Sequence, residues 1–342
     1  MKKIGILTGG GDCPGLNSVI RAVVRKSLEY NLEVIGIKNG WKGLIENDTM
    51  KLDLQSVSGI LPKGGTILGT SRTNPYKKEE YLKNLLENYK RLNLDVLIAV
   101  GGEDTLGVAD KLSKEGLKIV GIPKTIDNDL SCTDYTFGFD TAVNTATEAI
   151  DRLHTTAESH HRIMIVEVMG RHAGWIAVEA GIAGGADIVL IPEIPIDIEE
   201  VVSLIKKRHD RGKTFSIVVV AEGAKFSNKD LITQEEKLDE FGHVRLGGIG
   251  DMLASIIEKK TGYETRVTVL GHIQRGGTPS AFDRVLGTRF GVRAVEMIIA
   301  NKFGQMVSLQ GNKIIEVPLS NAVSKLKTVD LELYGIAKVF FG

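Results

Sequence analysis

Residues 96–105 read Val-Leu-Ile-Ala-Val-Gly-Gly-Glu-Asp-Thr, an unbroken apolar run that stops abruptly at two glycines and two acids. A short run with no polar alternation is the pattern of a parallel strand covered on both faces. Similar runs recur at 4–7, 34–37, 119–122, 163–168, 188–191, 215–220 and 267–270. Amphipathic stretches at 17–30, 79–91, 140–159 and 198–211 lie between them. This alternation of strand and helix patterns predicts βαβ units, and the 342-residue length suits two doubly wound, Rossmann-like α/β domains of three layers each. In such sheets, ligands gather beyond the carboxyl ends of the strands. Six of the runs are followed there by polar, mostly glycine-rich segments: 9–12, 101–105, 123–129, 169–171, 221–223 and 271–277. A cleft between the two domains, lined by many strand ends, is therefore expected to hold the active site. The polar stretch 225–242 reads as an exposed insertion without chemistry.

Bulk properties exclude several classes. Lys plus Arg and Asp plus Glu are equal at 43 each, so no global positive field favours nucleic acid or a membrane surface. The apolar runs fall far short of the roughly 20 residues of a membrane-spanning helix. Two cysteines are too few for a disulfide scaffold and suit a reducing, cytoplasmic setting. Three motifs fail on inspection. Gly9-x-Gly11 lacks the third glycine and the ribose-binding acid of a dinucleotide fingerprint. Gly212-Lys213-Thr214 lacks the earlier P-loop glycine and precedes a strand. His160, His161 and His172 have no partners at zinc spacing.

Three motifs carry chemistry. Consecutive glycines at 9–11 let backbone N–H groups converge on an anion at the start of a helix, although a tight strand-to-helix turn has the same pattern. Glu103 and Asp104 close the 96–105 run; Mg²⁺ takes one or two carboxylates plus phosphate oxygens, and the alternative is a helix-capping acidic pair. Thr125-Ile126-Asp127-Asn128-Asp129 places a hydroxyl and two carboxylates on one side of an extended chain. One acid can take the proton of an attacking hydroxyl while the other orients it or binds metal; an Asx-turn with capping aspartates is the rival. Arg162, Arg171, Arg266 and Arg275 flank strands near these motifs and can fork onto phosphate.

Assembled, these segments resemble the phosphofructokinase family over nearly the whole chain. The matching stretches include ILTGGGDCPGLN (6–17), the GGT and LGTSR pieces of 64–72, GGEDT (101–105), PKTIDNDL (123–130), SHHRIMIVEVMGR (159–171), IAGGAD (182–187) and TRVTVLGHIQRGGTPSAFDR (265–284). The resemblance implies Mg²⁺-dependent phosphoryl transfer to the 1-hydroxyl of fructose 6-phosphate. It gives Asp127 the role of proton acceptor, accompanied by Thr125 and Asp129, with Arg171 and Arg72 near the transferred phosphate. Gly10 and Thr105 go with the phosphoryl donor, and Glu103 and Asp129 with the metal. Met169, Gly170, Arg171, Glu222, His272 and Arg275 match sugar-phosphate positions. Arg162 and Arg266 match arginines that reach a neighbouring subunit's site, which implies a homodimer or homotetramer.

The donor turns on two positions. ATP-using members commonly carry glycine where this chain has Asp104 and Lys124. A carboxylate at 104 puts charge and bulk in the path of the α-phosphate of ATP, whereas a lysine at 124 can offset charge on a leaving phosphate. The pair is similar to the pyrophosphate-dependent branch, with ATP as the alternative donor. A non-catalytic phosphate-metabolite sensor on the same fold is the rival of another class, disfavoured by the intact Asp127, Glu103 and arginine set. A lipid or NAD kinase is disfavoured by the GHIQRGG and MGRHAG segments. The expected division gives 1–140 plus about 256–305 to the donor domain and about 141–255 plus about 306–325 to the sugar domain, with a C-terminal helix over 326–342. Arg21, Arg25, Arg211 and Lys213 resemble a basic effector cluster, but His154 and Leu54 stand where arginines are usual, so weak or absent allostery is expected.

Overall fold

A computed structural model describes residues 2–227 and 248–342. The chain runs β1 (Lys3–Thr8), α1 (Leu16–Leu28), β2 (Glu33–Ile37), α2 (Trp41–Glu46), β3 (Thr49–Leu52), α3 (Glu79–Arg91), β4 (Val96–Gly101), α4 (Glu103–Lys114) and β5 (Ile119–Pro123). It continues through α5 (Phe139–His160), β6 (Ile163–Val168), α6 (Trp175–Ala183), β7 (Ile188–Leu190), α7 (Ile198–Asp210), β8 (Ser216–Ala221), α8 (Ile249–Thr261) and β9 (Thr265–Val269). It closes with α9 (Ala281–Ile299), β10 (Gln305–Gln310), β11 (Lys313–Pro318), α10 (Leu319–Ala322) and α11 (Leu331–Lys338).

Two sheets result, of seven strands in the order β11-β10-β5-β4-β1-β2-β3 and of four in the order β7-β8-β6-β9. Every residue of β4, β5, β6 and β8 is buried, as the uninterrupted apolar runs require of parallel strands covered by helices on both faces. The small sheet is wholly parallel. The large sheet is parallel at its centre and antiparallel at both edges, where β3 joins β2 and β11 joins β10. One apolar cluster contains Ile6 and Val100 of the large sheet, Val166 and Val219 of the small one, and Phe139, Ala146 and Ile150 of α5.

The expected division differs from the strand pairing in two places. β9 lies within 256–305 yet pairs with β6 in the small sheet, from Ile163↔Thr265 to Glu167↔Val269. The β10–β11 hairpin, within 306–325, extends the large sheet through the parallel pairing of Met306 with Gly121. Both have a physical reason. β9 matches only the short stretch 267–270, interrupted by Thr268, and the hairpin, closed by Gly311 at φ 55°, is interrupted at Ser308, so neither pattern says which sheet its strand joins. The insertion expected at 225–242 falls mostly outside the described residues. No described helix is long and apolar enough to cross a membrane.

Candidate active site

The glycine loop after β1 is held from below. Gly9 N–H donates to Val100 O at 2.9 Å, and Gly10, at φ 78°, donates to Ser71 O at 3.1 Å. Thr70 Oγ1 donates to Gly10 O at 2.6 Å, while Asn17 in α1 bonds the 63–67 loop through Lys63 O and Ile67 N–H. The 64–72 segment is thus laid along the glycine loop. It carries Arg72 at the exposed rim, where the side chain has a partner.

Two side chains press on this loop, the short buried Thr105 firmly and the flexible end of Arg275 more yieldingly. A Cβ on Gly9 would sit 2.6 Å from Thr105 Oγ1, and one on Gly11 would sit 2.5 Å from Arg275 Nη1. Thr105 is therefore a buried wedge between the β1 and β4 loops, and only 3.7 Å separates its hydroxyl from the Gly10 Cβ position. Arg275, expected with the sugar phosphate, lays its guanidinium on the glycine loop and donates to Asp12 O at 3.3 Å. Its Nε is buried with no hydrogen-bond partner.

Lys124 is 3% exposed. Its ammonium donates to Gly11 O and lies 3.5 Å from the Gly10 Cβ position. Burial lowers its pKa, and the Arg275 charge does the same; Cys13, Asp12 and Asp127 oppose the shift. Glu103 and Asp104 occupy the first turn of α4 behind the N-cap Gly102, the end of the helix where its dipole favours acids. Both side chains have interaction partners.

Residues 125, 127 and 129 are half-buried while 126, 128 and 130 are buried, but the chain bends at 126–127 and is left-handed at Asn128, so this is a turn and not the extended strand that the alternation assumes. Asp127 N–H donates to Thr125 Oγ1 at 3.1 Å. Asn128, in the left-handed region at φ 51°, closes the following loop by accepting from Thr136 N–H and donating to Asp134 O. Asp127 Oδ1 is buried without a hydrogen-bond partner. Asp129 is pushed up to about 7, by burial first and then by Asp127 and Glu103. Three acids face one another, yet among the described residues no group of three or more His, Cys, Asp or Glu is arranged to hold a metal ion by itself.

The small sheet supplies the opposite wall. Met169, Gly170 and Arg171 follow β6, where Met169 N–H donates to Oε1 of the buried Gln274 at 3.3 Å. Gly170 adopts φ 141°, where an added Cβ would meet Ala173 O at 2.8 Å. Glu222 follows β8 and is raised to about 7 by burial, then by Asp127; Arg171 and Arg275 pull it back. These influences bring Asp127, Arg171, Glu222 and Arg275 into one electrostatic neighbourhood made from both sheets. His272 stands exposed on the 271–275 helical turn.

Arg162 and Arg266 do not join it. They precede or open β6 and β9, at the amino end of the small sheet, opposite to the strand ends that form the cleft. Both pair with Glu264, Arg162 at 2.9 Å. Exposed apolar side chains stand on the same strand and beyond it, with Val269 at 53% and Ile273 at 67% exposure. Asn17, Asn128 and Gln274 are site supports that motif reading passed over. Their signal is a polar residue at a position that packing buries.

Residues 3–298 match the phosphofructokinase family. The chain is 59% identical to a pyrophosphate–fructose 6-phosphate 1-phosphotransferase of Streptomyces coelicolor, over 99% of this chain and 100% of that one. It is 55% identical to an ATP-dependent 6-phosphofructokinase of Mycobacterium tuberculosis, with the same coverage of each. Among solved structures, Pichia pastoris phosphofructokinase in the T-state superposes with a TM-score of 0.84 at 32% identity; the match covers 99% of this chain and 36% of the longer yeast chain. The fold, the glycine loop, the paired aspartates and the full-length matches agree: this chain belongs to the phosphofructokinase family.

Proposed function

We propose that this enzyme moves a phosphoryl group from pyrophosphate to the 1-hydroxyl of fructose 6-phosphate, giving fructose 1,6-bisphosphate. Overall identity barely separates pyrophosphate-dependent from ATP-dependent relatives, at 59% and 55%, so the donor is argued from local chemistry. The observation that carries the reading is the buried Lys124 ammonium at the floor of the glycine loop. A cation held there, away from water, offsets charge on the leaving phosphate. Asp104, in the first turn of α4, opposes a longer polyphosphate chain by charge and bulk.

In this reaction, backbone N–H groups of the 9–11 loop bind the donor phosphates. Asp127 accepts the proton of the sugar hydroxyl; its buried Oδ1 has no hydrogen-bond partner within the chain and is left to accept one. Thr125 orients the Asp127 backbone. Arg171 and the rim residue Arg72 stabilise charge on the transferred group. Met169, Gly170, Glu222, His272 and Arg275 hold the sugar phosphate. Arg275 also lies against the donor loop, which suits a residue between the two substrates.

The acid set fits Mg²⁺. Burial raises the Asp129 carboxyl to about 7, and the nearby Asp127 and Glu103 add to the shift, so a divalent cation would find clustered negative charge there. Glu103 and Asp129 would hold the ion, with pyrophosphate oxygens and water completing its shell. When bound, Mg²⁺ neutralises charge on the phosphates. Arg162 and Arg266, at the far end of the small sheet, act in the site of a second copy, giving a homodimer or homotetramer in the cytoplasm. The large sheet serves the donor and the small sheet the sugar.

The test is turnover of fructose 6-phosphate by purified enzyme with Mg²⁺ and either pyrophosphate or ATP. Turnover with pyrophosphate is expected; turnover with ATP alone would overturn the donor assignment.

A further inference from the structure

The segment after α10 crosses the cleft. Leu326 forms an antiparallel bridge with Leu130, Lys325 O accepts from Ser131 Oγ at 2.7 Å, and Lys327 N–H donates to Asp129 O at 2.8 Å. These contacts grip the loop directly behind the two aspartates. The next bonds go to the other wall. Lys327 O accepts from Trp175 Nε1 at 3.0 Å, at the first residue of α6, four residues beyond Arg171. Val329 N–H donates to Glu193 Oε1 at 2.9 Å, and the same carboxylate accepts from Gly174 N–H at 3.1 Å.

Lys327 is the knot of this strap. Its ammonium donates to Thr133 O at 2.9 Å and to Asp134 O at 2.7 Å, and lies 5.0 Å from the centre of the Trp175 ring. Asp134, Asp129 and Glu179 face it. One residue therefore holds the β5 loop with its N–H and its side chain and holds α6 with its carbonyl. The charge contributes twice: it binds carbonyls of the loop on one wall and the aromatic face of Trp175 on the other.

We infer that Lys327 is a positioning residue for phosphoryl transfer, tying the Asp127 side of the cleft to the Arg171 side so that the two approach the reacting group in register. The inference rests on the proposed roles of Asp127 and Arg171. A strap of this kind acts on kcat more than on either KM, because each wall still binds its own ligand while the alignment between the walls loosens.

The experiment compares wild type with Lys327→Met, Lys327→Arg, Trp175→Phe and the Lys327→Met/Trp175→Phe double variant, with rates normalised to folded protein. Lys327→Met is expected to lower kcat roughly ten- to hundredfold with both KM values near wild type. Lys327→Arg recovers most of the loss, since guanidinium also donates to carbonyls and stacks on indole. Trp175→Phe, which removes the indole N–H together with the five-membered ring, lowers kcat in the same way, and the double variant is little worse than Lys327→Met because both break one link. A wild-type kcat in Lys327→Met, or a loss that Arg does not rescue, would overturn the inference. Amide hydrogen exchange gives a readout independent of the reaction. Lys327→Met should speed exchange in both 128–134 and 172–176, and unchanged exchange refutes the strap whatever the enzyme catalyses.

Discussion

The two walls of the cleft are built on different principles. The large-sheet wall presents a backbone glycine loop, strapped by Ser71, Thr70 and Val100, with one lysine buried beneath it and the acids Glu103, Asp127 and Asp129 beyond its strand ends. The small-sheet wall is mostly side chains, with Arg171 and Glu222 inside the cleft, His272 exposed, and Arg162 and Arg266 at the wrong end of their strands to reach it. A wall of backbone and buried charge is complete within one chain. On the proposed reading, a wall of outward-facing cations is completed by a neighbour, so that donor chemistry belongs to one subunit and sugar affinity to the assembly.

The largest expected effect removes the chemistry shared by both walls. Asp127→Ser should cut kcat by about 10²- to 10⁴-fold while fructose 6-phosphate still binds, as isothermal titration would register. An unchanged rate would mean that another group takes the proton.

The next variant separates the walls. Arg266→Ala should raise the KM for fructose 6-phosphate by roughly ten- to a hundredfold and leave the KM for pyrophosphate alone, the size of one lost charge-assisted bond. Mixing Arg266→Ala with Asp127→Ser subunits should then regenerate a low-KM population, since one site of each hybrid has both residues intact. If mixing restores nothing, Arg266 acts within its own chain.

The donor wall was the more legible in sequence, and the reason is physical. Backbone anion sites need glycines at fixed places after a strand, and the candidate hydroxyl and acids follow a strand end at alternate positions; both leave a local pattern, as at 9–11 and 125–129. Supports are not local. Gln274 is recognisable only once the fold buries it against Met169, and Lys327 only once the strap meets Asp129, 198 residues earlier. The sheet boundary was hidden for the same reason. β9 and β11 are largely half-buried or exposed, β10 is buried through Met306–Leu309, and nothing in their residues says which sheet they will join.

The smallest effect concerns the acid held at the meeting of the walls. Glu222 has its carboxyl raised to about 7 when folded, so the folded protein binds its proton more tightly than the unfolded chain does. The stability this gives is fully present below the ordinary carboxylate range and is lost as pH rises through about 7. Wild type should therefore lose melting temperature relative to Glu222→Gln between about pH 4 and pH 7. A parallel pair of curves would place Glu222 in water.

The central claim is that Lys124, with Asp104, makes the glycine loop a pyrophosphate site. Its most direct measurement is kcat/KM for pyrophosphate and for ATP in wild type and in the Asp104→Gly/Lys124→Gly variant. The account predicts that pyrophosphate efficiency falls by roughly 10- to 100-fold, the value of one buried charge-assisted contact, while ATP becomes a usable donor. A double variant that keeps its pyrophosphate efficiency and still excludes ATP would contradict it.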